Sequence, residues 1–213
     1  MKNKKGTPLW KALLFEQRLP WRYASKLEKI TERWGSIPKG GKSSHILDQY
    51  IKQQIKKIQP KTVVDFGAGK GKYGRMIRNL FKNKVNITAV EIYPPSIRFI
   101  KQQKIYDNVN KSDLINWLNK NDDYYDLAIF GDVLEHLTNR EIYHALDLSL
   151  KRFNNILIQC PEGIYHQGMV GGNKSEIHRT TIHKNFFDRY LILEKRIKPT
   201  KNKRKIMFVW ISR

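Results

Sequence analysis

Acidic residues are scarce in this chain and cysteine is almost missing: 19 Asp and Glu stand against 41 Lys and Arg in 213 residues, and Cys160 is the lone thiol. One cysteine cannot form an internal disulfide. Its place in the apolar run NNILIQC predicts a buried, inert thiol rather than a nucleophile, and a reducing compartment fits. Long apolar runs are lacking too. No window reaches the roughly eighteen uncharged apolar residues of a membrane span. The N-terminal MKNKKGTPLWKALLFEQRLP has neither the long apolar core nor the small-residue cleavage site of a secretory leader, so the expectation is a cytoplasmic protein. Disorder is excluded as well, because 40% hydrophobic and 11% aromatic residues are enough for a real core at this length.

The net charge of +22 is unevenly spread. Residues 1–60 carry +10, residues 61–194 carry +4 and residues 195–213 carry +8. Such a field attracts polyanions, but 28 Lys against 13 Arg also reads as a plain lysine-rich composition, since lysine is the weaker choice for bidentate phosphate recognition. Both explanations stay open at this point.

From residue 61 onward, β-like runs alternate with amphipathic stretches, the pattern of a parallel sheet covered by helices on both faces. Strands are expected at TVVDF (62–66), ITAVEI (87–92), weakly near NVNKSD (108–113), YDLAIFG (125–131) and NILIQC (155–160), with helices at 72–82, 95–103, 113–120 and 139–151. IHKNFFDRY reads as a further helix. LILEKRIK and KIMFVWIS read as a β-hairpin, and its basic tip PTKNKR as a solvated turn that keeps the hairpin soluble. Residues 1–60 contain no clear strand. WRYASKLEKITERW and SSHILDQYIKQQIKKI have helical periodicity, and GSIPKGGKSS between them reads as a loop, so the organisation expected is a helical extension over 1–60 and a sheet domain over 61–213.

The stretch VVDFGAGKGKYGRMI (63–77) is a buried strand, a glycine-rich turn and a helix start, a geometry that brings backbone amides and a positive helix end to a ligand. Its glycines fit a dinucleotide fingerprint as well as other nucleotide cofactors. Asp65, two residues before Gly67, would oppose a pyrophosphate but suits a ligand with an ammonium or sulfonium group. Glu91, 24 residues beyond Gly67, lies where a carboxylate takes both ribose hydroxyls. Asp113 in SDL either accepts from an adenine amino group or simply caps the helix LINWL.

With YDLAIFGDVLEHL (125–137) a fourth piece arrives, a buried strand running into an acidic turn. Here the chain resembles the class I S-adenosylmethionine-dependent methyltransferases, through DFGAGKG (65–71), VEIYPP (90–95), SDL (112–114), FGDVLEHL (130–137) and ILIQCPEG (156–163), in order. The resemblance covers residues 61–213 and implies a doubly wound α/β fold, a seven-stranded mixed sheet with its last strand antiparallel. It implies S-adenosyl-L-methionine as cofactor. The cofactor set becomes Asp65, Gly67, Gly69 and Gly71 in the loop, Glu91 and Ile92 at the ribose, Asp113 and Leu114 at the adenine, and Asp132. Lys70 and Lys72 beside the glycines depart from the usual small or acidic residues there and are the feature that favours the dinucleotide alternative.

Methyl transfer from a sulfonium is an in-line displacement, so a protein mainly positions the acceptor and supplies a base. The catalytic candidates are Glu135 and His136, with His178 from the loop PEGIYHQGMVGGNKSEIHRTTIHKNFF. Three readings compete. A histidine removes a proton from a hydroxyl or amine without metal. Asp132, Glu135, His136 and His178 hold Mg²⁺ or Mn²⁺, which resembles the acid-x-x-Glu-His pattern of small-RNA 3′-terminal ribose methyltransferases and ubiquinone-pathway O-methyltransferases. Or Asp132 and Glu135 form an Asp-x-x-Glu capping box and nothing more. The expected acceptor is a small molecule or glycan, with RNA or another polyanion at the basic termini as the alternative, and a module that binds the cofactor without turnover as a third.

Overall fold

The computed structural model describes residue 40 and residues 43–213; the helix expected at WRYASKLEKITERW lies outside them. The chain divides after Pro38, and the unit that carries the sheet is Lys39–Arg213. Its elements are α1 (Asp48–Ile58), β1 (Thr62–Phe66), α2 (Lys72–Phe81), β2 (Asn86–Glu91), α3 (Pro94–Gln103), β3 (Asn108–Lys111), α4 (Leu114–Lys120), β4 (Tyr125–Gly131), α5 (Asn139–Arg152), β5 (Phe153–Glu162), β6 (Ile192–Pro199) and β7 (Lys205–Ser212).

The strands form one seven-stranded sheet in the order β3-β2-β1-β4-β5-β7-β6. All neighbours are parallel except β7, which runs antiparallel between β5 and β6. Position in the sheet explains composition. β1 and β4 are covered on both faces and read as continuous apolar runs. The edges β3 (NVNK) and β6 (ILEKRIKP) are polar, and lysines and a proline discourage further strand pairing.

Alternation along each strand feeds two cores. Leu47, Ile51 and Ile55 around α1, with Ile77 of α2 and Ile100 of α3, pack against Val63, Ile87, Leu127 and Ile129. On the other face Trp117, Leu118, Ile142 and Leu146 of α4 and α5 meet Val64, Phe66, Phe130 and Ile158, with the Phe66 and Phe130 rings stacked at 4.7 Å. Cys160 lies fully buried in this second core, and burial raises its thiol well above the usual range, as expected for an inert cysteine.

One expected element is absent. IHKNFFDRY is a run of turns rather than a helix, with Phe186 N–H donating to His183 O and Tyr190 N–H to Phe187 O. The segment is pinned near its start by the pairing of Ile182 with Gly163 and in its middle by Phe187, buried in the core, so few residues remain to offset the cost of nucleating a helix. No helix among the described residues is long and apolar enough to cross a membrane.

Candidate functional site

β1 pairs with β2 on one side and β4 on the other, while the crossovers leave it in opposite directions, so a crevice opens at the carboxyl ends of these strands. The glycine turn lies there. Gly67, Gly69 and Gly71 have φ of 64°, 52° and 77°, a region other residues enter only with strain, and Gly71 is the first residue before α2. A Cβ on Gly67 would stand 2.6 Å from Val133 Cγ2, so this position needs glycine on steric grounds as well.

Glu91 closes β2 and is buried. Its Oε2 accepts from Gly69 N–H at 2.7 Å, and its Oε1 accepts from the N–H groups of Ile92 and Tyr93 at 2.8 Å each. The carboxylate therefore holds the glycine turn to the second strand. Burial raises its pKa while those three amides oppose the shift. Ile92 beside it is 44% exposed, a large apolar side chain at the rim of the crevice.

Asp65 is fully buried behind the turn. Its Oδ2 accepts from Tyr106 O–H at 2.6 Å and its Oδ1 has no partner. Burial pushes this carboxyl up to about 7, the Tyr106 bond opposes that, and the nearby Glu91 charge adds to it. Tyr106, from the segment between α3 and β3, was not singled out in the sequence, and its distance of 41 residues from Asp65 explains why.

Asp113 caps α4. Its Oδ1 accepts from Asn116 N–H at 2.9 Å and its Oδ2 from the Asn116 amide at 2.5 Å, and the Leu114 side chain faces the core. Lys72, one of the two lysines that favoured a pyrophosphate, is committed to its own chain: its ammonium pairs with Asp48 at 2.7 Å and donates to Ser44 O at 2.5 Å.

The acceptor side differs from the sequence expectation in one respect. Asp132 and Glu135 do not form a capping box. Asp132 has φ 52° and its Oδ2 accepts from Ser44 N–H at 3.1 Å and from Gln159 Nε2 at 2.6 Å, while the turn Leu134–His136 has no side-chain cap. The capping box of this region is Thr138-x-x-Glu141 at the start of α5, where both reciprocal bonds are present. Asp132 takes the left-handed conformation where its N–H donates to Gln159 O at 2.7 Å, and the chain bends there across the end of β5.

That bend sends Glu135 and His136 toward the loop after β5. The Glu135 backbone carbonyl accepts from the N–H groups of Arg179 and Thr180 at 2.8 and 3.2 Å and so fixes the loop that carries His178. Glu135, His136 and His178 offer ligand atoms within 4.8 Å of one another, and Asp132 is not part of this cluster. Glu135 is 3% exposed and its Oε2 has no partner. Burial holds its carboxyl well above the ordinary range, and the Asp132 charge pushes the same way.

The two imidazoles are arranged alike. His136 Nδ1 faces Ile177 O at 3.3 Å and His178 Nδ1 faces Tyr165 O at 2.6 Å. A carbonyl only accepts, so the Nδ1 that faces it carries the proton; this leaves His178 Nε2 with its lone pair, while the His136 ring also lies against the Asp132 carbonyl. Burial and the neighbouring His178 push His136 down to about 4, and burial lowers His178, so both rings are neutral near pH 7. Beyond them Tyr165 tilts against His178 at 5.4 Å, and the Arg204 guanidinium lies 4.0 Å over the Tyr165 ring. The tip of the β6–β7 hairpin is exposed, as expected, yet through Arg204 it reaches this cluster rather than standing apart.

No family model matches the chain, and no curated protein matches it. Solved structures do. TehB from Haemophilus influenzae superposes with a TM-score of 0.58 at 17% identity, over 80% of this chain and 63% of that one, so the chain spans less than two thirds of TehB. An S-adenosylmethionine-dependent methyltransferase from Clostridium acetobutylicum gives 0.58 at 10% identity, over 78% and 89%. Magnesium protoporphyrin IX methyltransferase from Synechocystis, solved with S-adenosylmethionine bound, gives 0.53 at 13%, over 78% and 79%. The fold is that of these Rossmann-like methyltransferase structures.

Proposed function

We propose that the protein is an S-adenosylmethionine-dependent methyltransferase that acts on a hydroxyl of a small molecule or glycan, with Glu135, His136 and His178 holding a divalent cation. The cofactor reading is supported by the left-handed glycine turn at the crevice, by Glu91 at the end of β2, and by Lys72 being spent on Asp48 rather than free for a diphosphate. The observation that carries the acceptor side is the cluster itself, a buried carboxylate oxygen without a partner beside two neutral imidazoles oriented by backbone carbonyls.

These donors fit a cation. Orienting each imidazole through its Nδ1 proton is how proteins prepare a metal ligand, and mixed nitrogen and oxygen donors suit Mn²⁺ better than Mg²⁺. A bound cation lowers the pKa of an acceptor hydroxyl. The chain itself positions the acceptor oxygen against the methyl group, so that the C–O bond forms as the C–S bond breaks and the sulfonium leaves as a thioether. In a metal-free version the neutral His178 Nε2 takes the acceptor proton, from a hydroxyl or an amine. Chelation separates the two, since only the first loses activity. Calorimetry with S-adenosylhomocysteine tests the core of the reading: binding is expected, and none at millimolar ligand would overturn it.

A second reading is favoured by the path from the hairpin tip. Lys201, Lys203, Arg204 and Lys205 are exposed, Arg204 stacks on Tyr165, and Tyr165 contacts His178, so positive charge and an aromatic face adjoin the cluster. An RNA strand is then the acceptor. Retention on RNA should fall by orders of magnitude between about 50 and about 200 mM salt if six or more phosphates are contacted. No retention at the lower salt removes this reading and leaves the first.

A further inference from the structure

Seven large apolar side chains are exposed among the described residues, and three of them, Ile164, Met169 and Ile177 at 73%, 56% and 38%, come from one short loop after β5. A single exposed isoleucine is ordinary, whereas several on one loop mark a contact surface. The loop doubles back on itself. His178 N–H donates to Gln167 O at 3.0 Å and Gln167 Nε2 donates to Glu176 O at 2.9 Å, so the stretch 164–169 runs alongside Ile177.

This loop borders the tip of the β6–β7 hairpin. The Arg204 guanidinium lies 4.0 Å over the Tyr165 ring and donates to its hydroxyl, one residue from Ile164. Lys201, Lys203 and Lys205 are exposed on the same tip, and among the described residues only Lys205 faces an acid, Glu162 at 3.7 Å. No acidic residue occurs from 195 to 213. Aliphatic side chains beside uncompensated positive charge complement an anionic bilayer surface, where apolar groups enter between the headgroups and cations meet lipid phosphates. They match a nucleic acid poorly, because a single strand is held by stacking on free aromatic faces, and the Tyr165 ring already has Arg204 over it. Surface binding of this kind needs no membrane-crossing helix.

We propose that the loop after β5 and the tip of the β6–β7 hairpin form a docking surface for an anionic lipid bilayer, with Ile164, Met169 and Ile177 entering the headgroup layer and Lys201, Lys203 and Arg204 meeting lipid phosphates. His178 follows Ile177 and its ring lies against Tyr165, so docking brings the acceptor cluster to the bilayer. The acceptor favoured there is a hydroxyl carried by a lipid. That last step rests on the methyltransferase reading above; the docking surface itself does not.

Sedimentation of the full chain with vesicles tests it. Binding is expected to mixed vesicles of phosphatidylcholine and phosphatidylglycerol and not to phosphatidylcholine alone. A protein of net charge +22 adheres to anionic surfaces in general, so paired variants locate the contact. Ile164→Ser with Met169→Ser should weaken binding by roughly tenfold, and Lys201→Ala with Lys203→Ala by roughly tenfold or more, at about fivefold for each lysine. Leu191→Ser with Leu193→Ser, exposed toward the other end of the hairpin, and Lys56→Ala with Lys57→Ala, in the last turn of α1, should each change it by less than about twofold. These side chains are all exposed, so the variants should melt with the wild type. Equal effects from the control pairs, or loss with the lysine pair but not with the apolar pair, overturn the docking surface; retention on RNA that ignores Ile164 and Met169 then assigns the tip to a polyanion. Calorimetry with S-adenosylhomocysteine keeps the two questions apart. Vesicle binding without cofactor binding leaves the surface and removes the enzyme reading, and the reverse removes the surface alone.

Discussion

Replacing Glu135 by glutamine is expected to lower methyl transfer by roughly a hundredfold to ten-thousandfold while changing S-adenosylhomocysteine affinity by no more than about twofold. The separation follows from position. Glu135 lies in the turn after β4, outside the glycine turn, and its free Oε2 belongs to the cluster with His136 and His178. Its backbone carbonyl, which anchors Arg179 and Thr180, is untouched by the substitution, so the loop stays in place. Paramagnetic resonance of added Mn²⁺ gives an independent readout, with the free-ion signal depleted by the wild type and not by Glu135→Gln or His178→Ala. The pH dependence has a definite sign. Both imidazoles are already neutral near pH 7, but burial and Asp132 keep the Glu135 proton on, so cation binding must expel it and affinity should climb with pH. Wild-type activity that survives chelation, with Glu135→Gln fully active, would sink the metal-assisted reading and leave the histidine base.

The central strands were legible in the sequence because burial on both faces leaves no room for ambiguity. YDLAIFG and KIMFVWIS are strands over the residues that periodicity indicates, and the hairpin of β6 and β7 follows from two such runs around PTKNKR. The weak reading of NVNKSD has a physical cause as well, since β3 is an edge strand with little to bury. Local signals failed where a distant partner decides. Nothing near Asp65 announces Tyr106, and nothing near Gly131 announces Tyr73, yet those contacts determine which polar atoms are left free. The acidic turn shows the same conflict at close range. Asp132 and Glu135 have capping-box spacing, but Thr138 and Glu141 stand at the real helix start, and Asp132 is claimed by Ser44 and Gln159, one from far upstream and one from the next strand. In IHKNFFDRY the expected helix lost to two tertiary anchors, the pairing of Ile182 with Gly163 and the buried Phe187. The pairing of Glu135 with His136 was visible in sequence, and His178 could be proposed only as one of several loop histidines until the loop was folded back.

Asp65→Asn is expected to change markedly how stability depends on pH. The Asp65 carboxyl is raised to about 7 from the ordinary carboxylate range, chiefly by burial, so between the two the folded protein holds a proton that the unfolded chain has released. Stability from this group is then fully present below about pH 4, declines as pH rises toward about 7, and is flat beyond. One pKa unit corresponds to about 1.4 kcal/mol, so between about pH 5 and about pH 8 the wild type should lose on the order of 3 kcal/mol relative to the asparagine variant. The variant keeps an acceptor for Tyr106 O–H but buries an amide where Oδ1 had no partner, a constant cost that shifts both ends of the curve equally and leaves the difference in slope. Chemical denaturation at the two pH values reads it directly, and parallel curves would show that Asp65 ionises as an ordinary carboxyl. The same proton links this residue to the proposed ligand. An ammonium brought near Asp65 favours the ionised form, so cofactor binding near pH 6 should release a proton from the wild type and none from Asp65→Asn, seen as a binding enthalpy that changes with the ionisation enthalpy of the buffer.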